Sequence, residues 1–227
     1  MENTVEMKII ARIKTDFADK FGVPRQSGLV PELQAEIVFE PEYRVSDAVR
    51  GLEDFSHIWL IWQFSRAVRS TWSPTVRPPR LGGNKRMGVF ATRSPFRPNN
   101  IGLSSVRLES IEYTADRGPV LHVSGADLMD GTPIFDIKPY IPYADCHPDA
   151  LGGFTDETPR RTLRVEISPE LAGRFPADRL AALTGVLSAD PRPAYQSDPE
   201  RVYGFTFAGH EIKFMVDGDI LTVTDIE

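Results

Sequence analysis

A single cysteine, Cys146, in 227 residues rules out an intramolecular disulfide and fits a reducing compartment. Long apolar runs are missing too: the longest, Ile58 to Trp62, is far too short to cross a bilayer. Met1-Glu2-Asn3-Thr4 lacks the basic stretch and apolar core that open a signal peptide. These absences predict a soluble cytoplasmic protein without a membrane partner. No G-x-G-x-x-G follows a strand pattern, and there is neither a Walker loop nor a G-x-S-x-G elbow, which excludes the common nucleotide folds and the serine hydrolases. The histidines His57, His122, His147 and His210 are scattered without metal-ligand spacing, so no metal is expected. His57, which opens an apolar run, reads as a hydrogen-bonded structural histidine.

One further absence is local. Between Phe55 and Leu108 there is no Asp or Glu, although the chain holds 32 acids. The same stretch carries Arg66, Arg69, Arg77, Arg80, Lys85, Arg86, Arg93, Arg97 and Arg107. The net charge of −6 therefore divides into +9 here and −15 elsewhere. An acidic protein with one basic tract has a localised anion-binding surface, and its remainder repels nonspecific polyanions.

What is present is mainly β. Nineteen prolines and 17 glycines favour turns and short elements over a helix bundle. Met7–Lys14, Ala35–Phe39, His57–Phe64, Met87–Thr92, Ile101–Tyr113, Pro119–Gly125 and Pro133–Ile141 read as strands, His57–Phe64 as one buried on both faces. Ser46 or Asp47 can cap a short helix through Phe55. Lys20–Pro31 and Trp72–Gly83 are loops by their prolines and glycines. After a linker at 150–161 come a strand at Leu163–Ile167, a helix at Ala177–Ser188 and a meander over Arg201–Ala208, Glu211–Val216 and Ile220–Thr224. The expected organisation is a β-rich domain over 1–149 and a small α+β domain over 150–227.

Three segments concentrate chemistry. Met87 to Leu103 ends a strand in a proline-stiffened turn carrying Arg93 and Arg97, whose guanidinium groups can grip carboxylate or phosphate bidentately; the alternative is a constrained turn with surface charges. Asp127 to Pro133 is an acidic turn whose amides and Asp130 can hold a polar or cationic ligand. It leads into a strand that aligns Asp136, Lys138 and Tyr140 on one face and Phe135, Ile137 and Ile141 on the other. That face is either a site or a buried ionic network. Finally, Asp190-Pro191-Arg192-Pro193-Ala194-Tyr195 places Arg192 and Tyr195 in a rigid loop, either a nucleotide-stacking pair or a plain proline-rich connection.

Together with Pro24-Arg25-Gln26 and the loop Thr75 to Asn84, these segments resemble the TrmO family of tRNA methyltransferases, also called TsaA-like or YaeB-like. The likeness runs from Phe21 to His147 and includes the motif at Asp190 to Tyr195. It implies a compact single-sheeted β-barrel that binds S-adenosylmethionine, a homodimer, and methylation of the exocyclic nitrogen of threonylcarbamoyl-adenosine 3′ of the tRNA anticodon. By position, the cofactor would meet Pro24, Arg25, Gln26, Arg93, Leu103, Asp130, Gly131 and Thr132. Ser65 and Arg66 fill a further cofactor stretch with residue types unlike the family's, and Asn100 stands where many members have proline.

Methyl transfer from a sulfonium is an in-line displacement that needs alignment rather than a metal. The acceptor nitrogen must lose a proton, to Asp136 or Tyr140. Arg93, Arg97 or Lys138 would bind the threonyl carboxylate. Arg69, Arg77, Arg80, Lys85 and Arg86 would meet phosphates of the anticodon stem-loop, with Arg192 and Tyr195 helping to hold the loop. Two rivals share parts of the pattern: a non-catalytic RNA-binding or regulatory module, and a small-molecule methyltransferase. The first does not need the acidic turn; the second does not need the acid-free tract.

Overall fold

The structure, a computed structural model, describes residues 4–83, 85–158, 161–192 and 198–227. Six strands close an antiparallel barrel: β1 (Ala11–Lys14), β2 (Gln34–Phe39), β3 (His57–Gln63), β6 (Ile101–Thr114), β7 (Gly118–Ser124) and β8 (Pro133–Pro139), in the order β1-β2-β7-β6-β3-β8. The period-2 rule explains which side chains go inside. In β3, Ile58, Leu60 and Trp62 face the interior, opposite Val106, Ser104 and Gly102 of β6. Trp59 and Ile61 point outward and are only half-buried, so this strand is not covered on both faces as its composition suggests. Ile13, Ile37, Ile58, Leu60, Leu121 and Ile134 are fully enclosed, and removing one down to Ala would cost about 2–5 kcal/mol. Trp62 lies flat against Gly102, where an added Cβ would sit 2.3 Å from the indole.

The barrel ends differ. At one end, β2 passes to β3 through short 3-10 turns, including Ser46–Val49 and Leu52–Asp54. The single capped helix expected there is interrupted at Gly51, whose φ of 81° no helix tolerates, and neither turn has a side-chain cap. At the other end three long connections emerge side by side: 15–33, 64–100 and 125–132. Antiparallel pairing requires this, because the C-terminus of β1, of β3 and of β7 each pairs with a neighbour's N-terminus. The middle connection holds a two-stranded ribbon, β4 (Thr75–Val76) with β5 (Met87–Gly88). The strand expected over Met87–Thr92 stops at Gly88 and turns into a 3-10 segment at Val89–Ala91. β1 likewise starts at Ala11 rather than Met7.

A short helix, α1 (Pro142–Asp145), follows the last barrel strand. The C-terminal unit is a four-stranded sheet of β10 (Tyr203–Phe207), β11 (His210–Asp217), β12 (Ile220–Ile226) and β9 (Arg164–Glu166), in that order. The meander is as expected, and β9 adds a strand parallel to β12. Helices α2 (Pro169–Ala172) and α3 (Leu180–Ser188) accompany it; Leu183, Val186 and Leu187 of α3 are buried in its core. That core also takes in Phe17, Val30 and Leu33 from the first long connection. Gly22 lets this connection in: at φ 91°, its missing Cβ would lie 2.5 Å from Phe205. The connection that leaves the barrel after β1 thus ties the barrel to the C-terminal core. Among the described residues no helix is long and apolar enough to cross a membrane.

Candidate active site

The three long connections touch through polar side chains. Arg93, exposed on the middle connection, donates to the side-chain oxygen of Gln26 on the first, and the Gln26 amide in turn donates to the Arg25 carbonyl. Asp127, half-buried on the third connection, accepts a 2.5 Å hydrogen bond from Ser104 Oγ, which itself accepts Trp62 Nε1 at 2.9 Å. Burial pushes the Asp127 carboxyl above its ordinary value, against the opposing pull of Ser104, the Arg93 charge and a backbone bond at Ser27. A carboxylate, a guanidinium and a carboxamide therefore converge where the barrel opens. The sequence pattern drew attention to Asp130 and passed over Asp127 and Ser104. Asp127 lies in the same acidic segment, but only the barrel closure that brings Ser104 beneath it reveals its position.

Asp130, Gly131 and Thr132 form the turn that enters β8, and their hydrogen bonds run mostly to β1 and the first connection. Asp130 N and Gly131 N donate to Phe17 O and Ile13 O at 2.9 and 2.8 Å, and Asp130 Oδ1 accepts Thr15 N at 3.1 Å. The Thr132 hydroxyl is buried and donates to Met129 O at 2.7 Å. Gly131, at φ 72°, makes the turn possible. Pro24 is buried and Arg25 exposed. Ser65 and Arg66 lie exposed in the turn that follows β3. Asn100 ties that turn to the arginine turn: its carbonyl accepts Phe64 N at 2.8 Å and its amide donates to Pro95 O at 2.6 Å, a hydrogen-bonded substitute for a rigid ring.

On the outer wall, strand register arranges the remaining candidates in rows. Leu103, Ile61 and Asp136 form one row; Ser105, Trp59 and Lys138 form the next; Arg107 and His57 follow, with Tyr140 N bonded to His57 O. Leu103 is half-exposed. Asp136 and Lys138 share the outer face and pair at 2.9 Å. A bulge opposite Ile61/Trp62 changes the expected alternation. Ile134 and Ile137 both reach the core, and Phe135, expected beside Ile137, is the extra residue between paired positions. Tyr140 packs on Trp59, ring centroids 5.6 Å apart, and Trp59 Nε1 donates to Asp145 at 3.0 Å. Burial first, then Cys146 and Asp145, push the Tyr140 phenol above its ordinary value. Gln63 opens the loop end of β3, so Asp136 is two residues along the wall, about 7 Å, and Tyr140 six residues, about 20 Å.

All of the basic tract but Arg107 lies on the middle connection at the loop end. Arg66, Arg69, Arg77, Arg80, Lys85 and Arg86 are exposed, the last four around the β4–β5 ribbon. The Arg69 guanidinium lies 3.6 Å over the Phe96 ring, Arg86 donates to Thr75 Oγ1 at 3.0 Å, and Arg97 donates to Thr92 O at 3.0 Å. Of the tract's nine cations only Arg107 pairs with a carboxylate among the described residues. Beside them Trp72 and Phe90 stack at 6.3 Å, and both are more than half exposed, an aromatic platform that the sequence pattern did not single out. Arg192 is different: it is 8% exposed and held by Asp190 at 2.8 and 3.0 Å. Tyr195 lies outside the described residues. Among the described residues no group of three or more His, Cys, Asp or Glu side chains could hold a metal.

Comparison with known proteins follows the same division. Residues 12–146 match the family model for the tRNA-methyltransferase O N-terminal domain, and residues 160–227 match the TrmO C-terminal domain. The chain is 43% identical to the tRNA (adenine(37)-N6)-methyltransferase of Escherichia coli K12, covering 91% of this chain and 89% of that one. It is 44% identical to a putative S-adenosylmethionine-dependent methyltransferase, RcsF, of Pseudomonas aeruginosa, covering 86% and 85%. The crystal structure of TrmO from Pseudomonas aeruginosa superposes with a TM-score of 0.78 at 33% identity, covering 99% of both chains. The chain belongs to the TrmO family.

Proposed function

We propose that this protein methylates the exocyclic nitrogen of adenine 37 in tRNA, with S-adenosylmethionine as methyl donor and threonylcarbamoyl-adenosine as acceptor. The observation that carries this reading is the bond of Arg93 to Gln26 within electrostatic reach of Asp127 at one barrel end, on a connection whose cations, among the described residues, have no carboxylate partner. The residues present fit the donor. Arg93 would offer a cation to its amino-acid carboxylate, and Asp127 would offer a carboxylate to its cationic groups. Exposed Leu103 and Ile101 offer apolar surface on β6. Pro24–Gln26, Ser65, Arg66 and the turn Asp130–Thr132 complete the proposed donor surround.

When bound, S-adenosylmethionine supplies an electrophilic methyl carbon. The contribution of the chain is alignment and proton transfer. Asp136 is favoured over Tyr140 as the proton acceptor. It is paired with Lys138 and lies nearer the loop end, whereas the phenol, with its raised pKa, keeps its proton near neutrality. Arg97, fixed by its bond to Thr92 O, is suited to the threonyl carboxylate. Arg69, Arg77, Arg80, Lys85 and Arg86 would carry the phosphates and the Trp72–Phe90 stack an unpaired base. The protein is proposed to act as a cytoplasmic homodimer, whose stoichiometry light scattering checks.

The test is transfer of label from S-adenosylmethionine to tRNA carrying threonylcarbamoyl-adenosine and to an unmodified transcript. Label is expected in the first only. Label in neither, with donor binding intact, would move the acceptor elsewhere; absence of donor binding would favour an RNA-binding module.

A further inference from the structure

The motif around Asp190 is built as a clasp. Helix α3 ends with Asp190 N donating to Leu187 O at 3.1 Å, and Asp190 itself is at φ 55°, the left-handed conformation that only Gly, Asn and Asp adopt at modest cost. From there its carboxylate turns on its own chain. Oδ1 accepts Arg192 N at 3.3 Å and Arg192 Nε at 2.8 Å, and Oδ2 accepts a terminal nitrogen at 3.0 Å. The guanidinium is thereby neutralised and enclosed, which removes it from the set of cations able to meet a phosphate. The backbone behind it is left pointing outward: Arg192 O accepts the Arg25 guanidinium at 3.2 Å.

Arg25 is one residue from Gln26, the residue that touches Arg93. A polar path thus runs from Asp190 through Arg192, Arg25 and Gln26 to Arg93, whose charge in turn acts through space on Asp127. The same connection is rooted in the C-terminal core through Phe17, Val30 and Leu33, and Gly185 of α3 packs so closely on Val30 that a Cβ would lie 2.6 Å from it. Both the apolar anchor and the polar clasp act on residues 15–33.

We propose that Asp190 and Arg192 are positioning residues for the methyl-donor site: the clasp places the Arg192 carbonyl, which holds Arg25 and so sets the Pro24–Gln26 segment against Arg93. The C-terminal unit then serves the donor side of the reaction rather than supplying Arg192 to tRNA. This inference rests on the donor-site reading above.

The experiment is calorimetric titration of S-adenosylhomocysteine, without tRNA, into wild type, Asp190→Asn, Arg192→Lys, Arg25→Ala and the double variant Asp190→Asn/Arg25→Ala. Filter binding of tRNA and thermal unfolding are measured on each. Losing a charge-assisted bond of this kind corresponds to about tenfold in affinity. Asp190→Asn and Arg25→Ala are each expected to weaken donor-site binding by that factor, with tRNA affinity within about twofold. The double variant should be no weaker than the worse single one, because both break one path. Arg192→Lys keeps a charge but not the two-pronged grip, and should fall with Asp190→Asn. Additive losses would overturn the proposal, as would weakened tRNA binding with donor binding intact. Wild type that fails to bind S-adenosylhomocysteine would instead overturn the donor-site reading itself.

Discussion

Arg107 and Arg201 apart, the cations of the acid-free tract and those of the C-terminal unit live in opposite circumstances. Arg66, Arg69, Arg77, Arg80, Lys85, Arg86, Arg93 and Arg97 reach no carboxylate among the described residues, and where they do find partners these are a ring, a hydroxyl, a carbonyl or an amide. In the C-terminal unit, Arg161, Arg164, Arg174, Arg179, Arg192 and Lys213 each pair with Asp or Glu. Both sets are arginine-rich, so charge count alone does not separate them. What separates them is whether the fold has already neutralised the charge. Exposed ion pairs add little stability, typically below about 1 kcal/mol, but they do cancel the field that a polyanion would feel. An unpaired tract keeps that field and focuses it on the loop end of the barrel.

The sharpest way to test that difference is Arg93, the unpaired cation that also touches Gln26. Arg93→Ala is expected to lower kcat/KM by roughly 100-fold, most of it through donor binding. If turnover and donor affinity stay at wild-type levels, the arginine turn is structural and the site lies elsewhere. The next effect is purely electrostatic. Arg77→Ala combined with Arg80→Ala should weaken tRNA binding and reduce the slope of log affinity against log salt by about two, one for each phosphate no longer neutralised. An unchanged slope would give the tract another partner.

Asp127 sharpens the comparison from the other side, as the carboxylate that feels Arg93. Its folded-state pKa is raised, so the group favours folding when protonated, below its unfolded value, and that contribution is lost as pH rises through the folded value. At neutral pH the ionised form is therefore a burden on the fold. Asp127→Asn should raise the unfolding temperature at pH 7, with the advantage fading toward acid, while weakening S-adenosylhomocysteine binding by about tenfold. A variant that is less stable at pH 7, or one that binds the ligand as well as wild type, would show that the carboxylate is structural rather than kept for the site.

The sequence carried different parts of this with different clarity. The strands of the barrel were legible because period-2 alternation is local; Ile58, Leu60 and Trp62 announce an inward face by spacing alone. The basic tract was legible because the absence of acid needs no structure to be seen. Asp127, Ser104 and the hold of Arg192 on Arg25 were not, since each depends on bonds between residues 23 to 167 positions apart. Phe135 was misplaced for a related reason: a bulge inserts one residue into the alternation, and no residue type marks it. The helix expected after Ser46 splits into two 3-10 turns at Arg50, whose backbone is extended, and Gly51, whose backbone is left-handed, despite the apolar spacing around them. Arg192 was read as half of a nucleotide-stacking pair or part of a plain loop; that Asp190, two residues earlier, holds its guanidinium is visible only in the structure.

The smallest expected effect is the control that gives the others meaning. Arg174 is half-exposed and pairs with Glu170 one helical turn away and with Asp225 at 3.7 Å. Arg174→Ala changes the net charge of the protein by the same amount as Arg77→Ala, so any effect of total charge on tRNA binding is identical in the two. Only the local state differs: Arg77 presents a guanidinium without a carboxylate among the described residues, Arg174 a cancelled one. The prediction is a tRNA affinity within about twofold of wild type, an unchanged salt slope and a stability loss below about 1 kcal/mol. If Arg174→Ala weakens tRNA binding as much as Arg77→Ala, pairing is irrelevant, the polyanion responds to net charge alone, and the acid-free tract loses its special standing. If the two separate, the tract is the docking face because the fold has left its charges uncancelled.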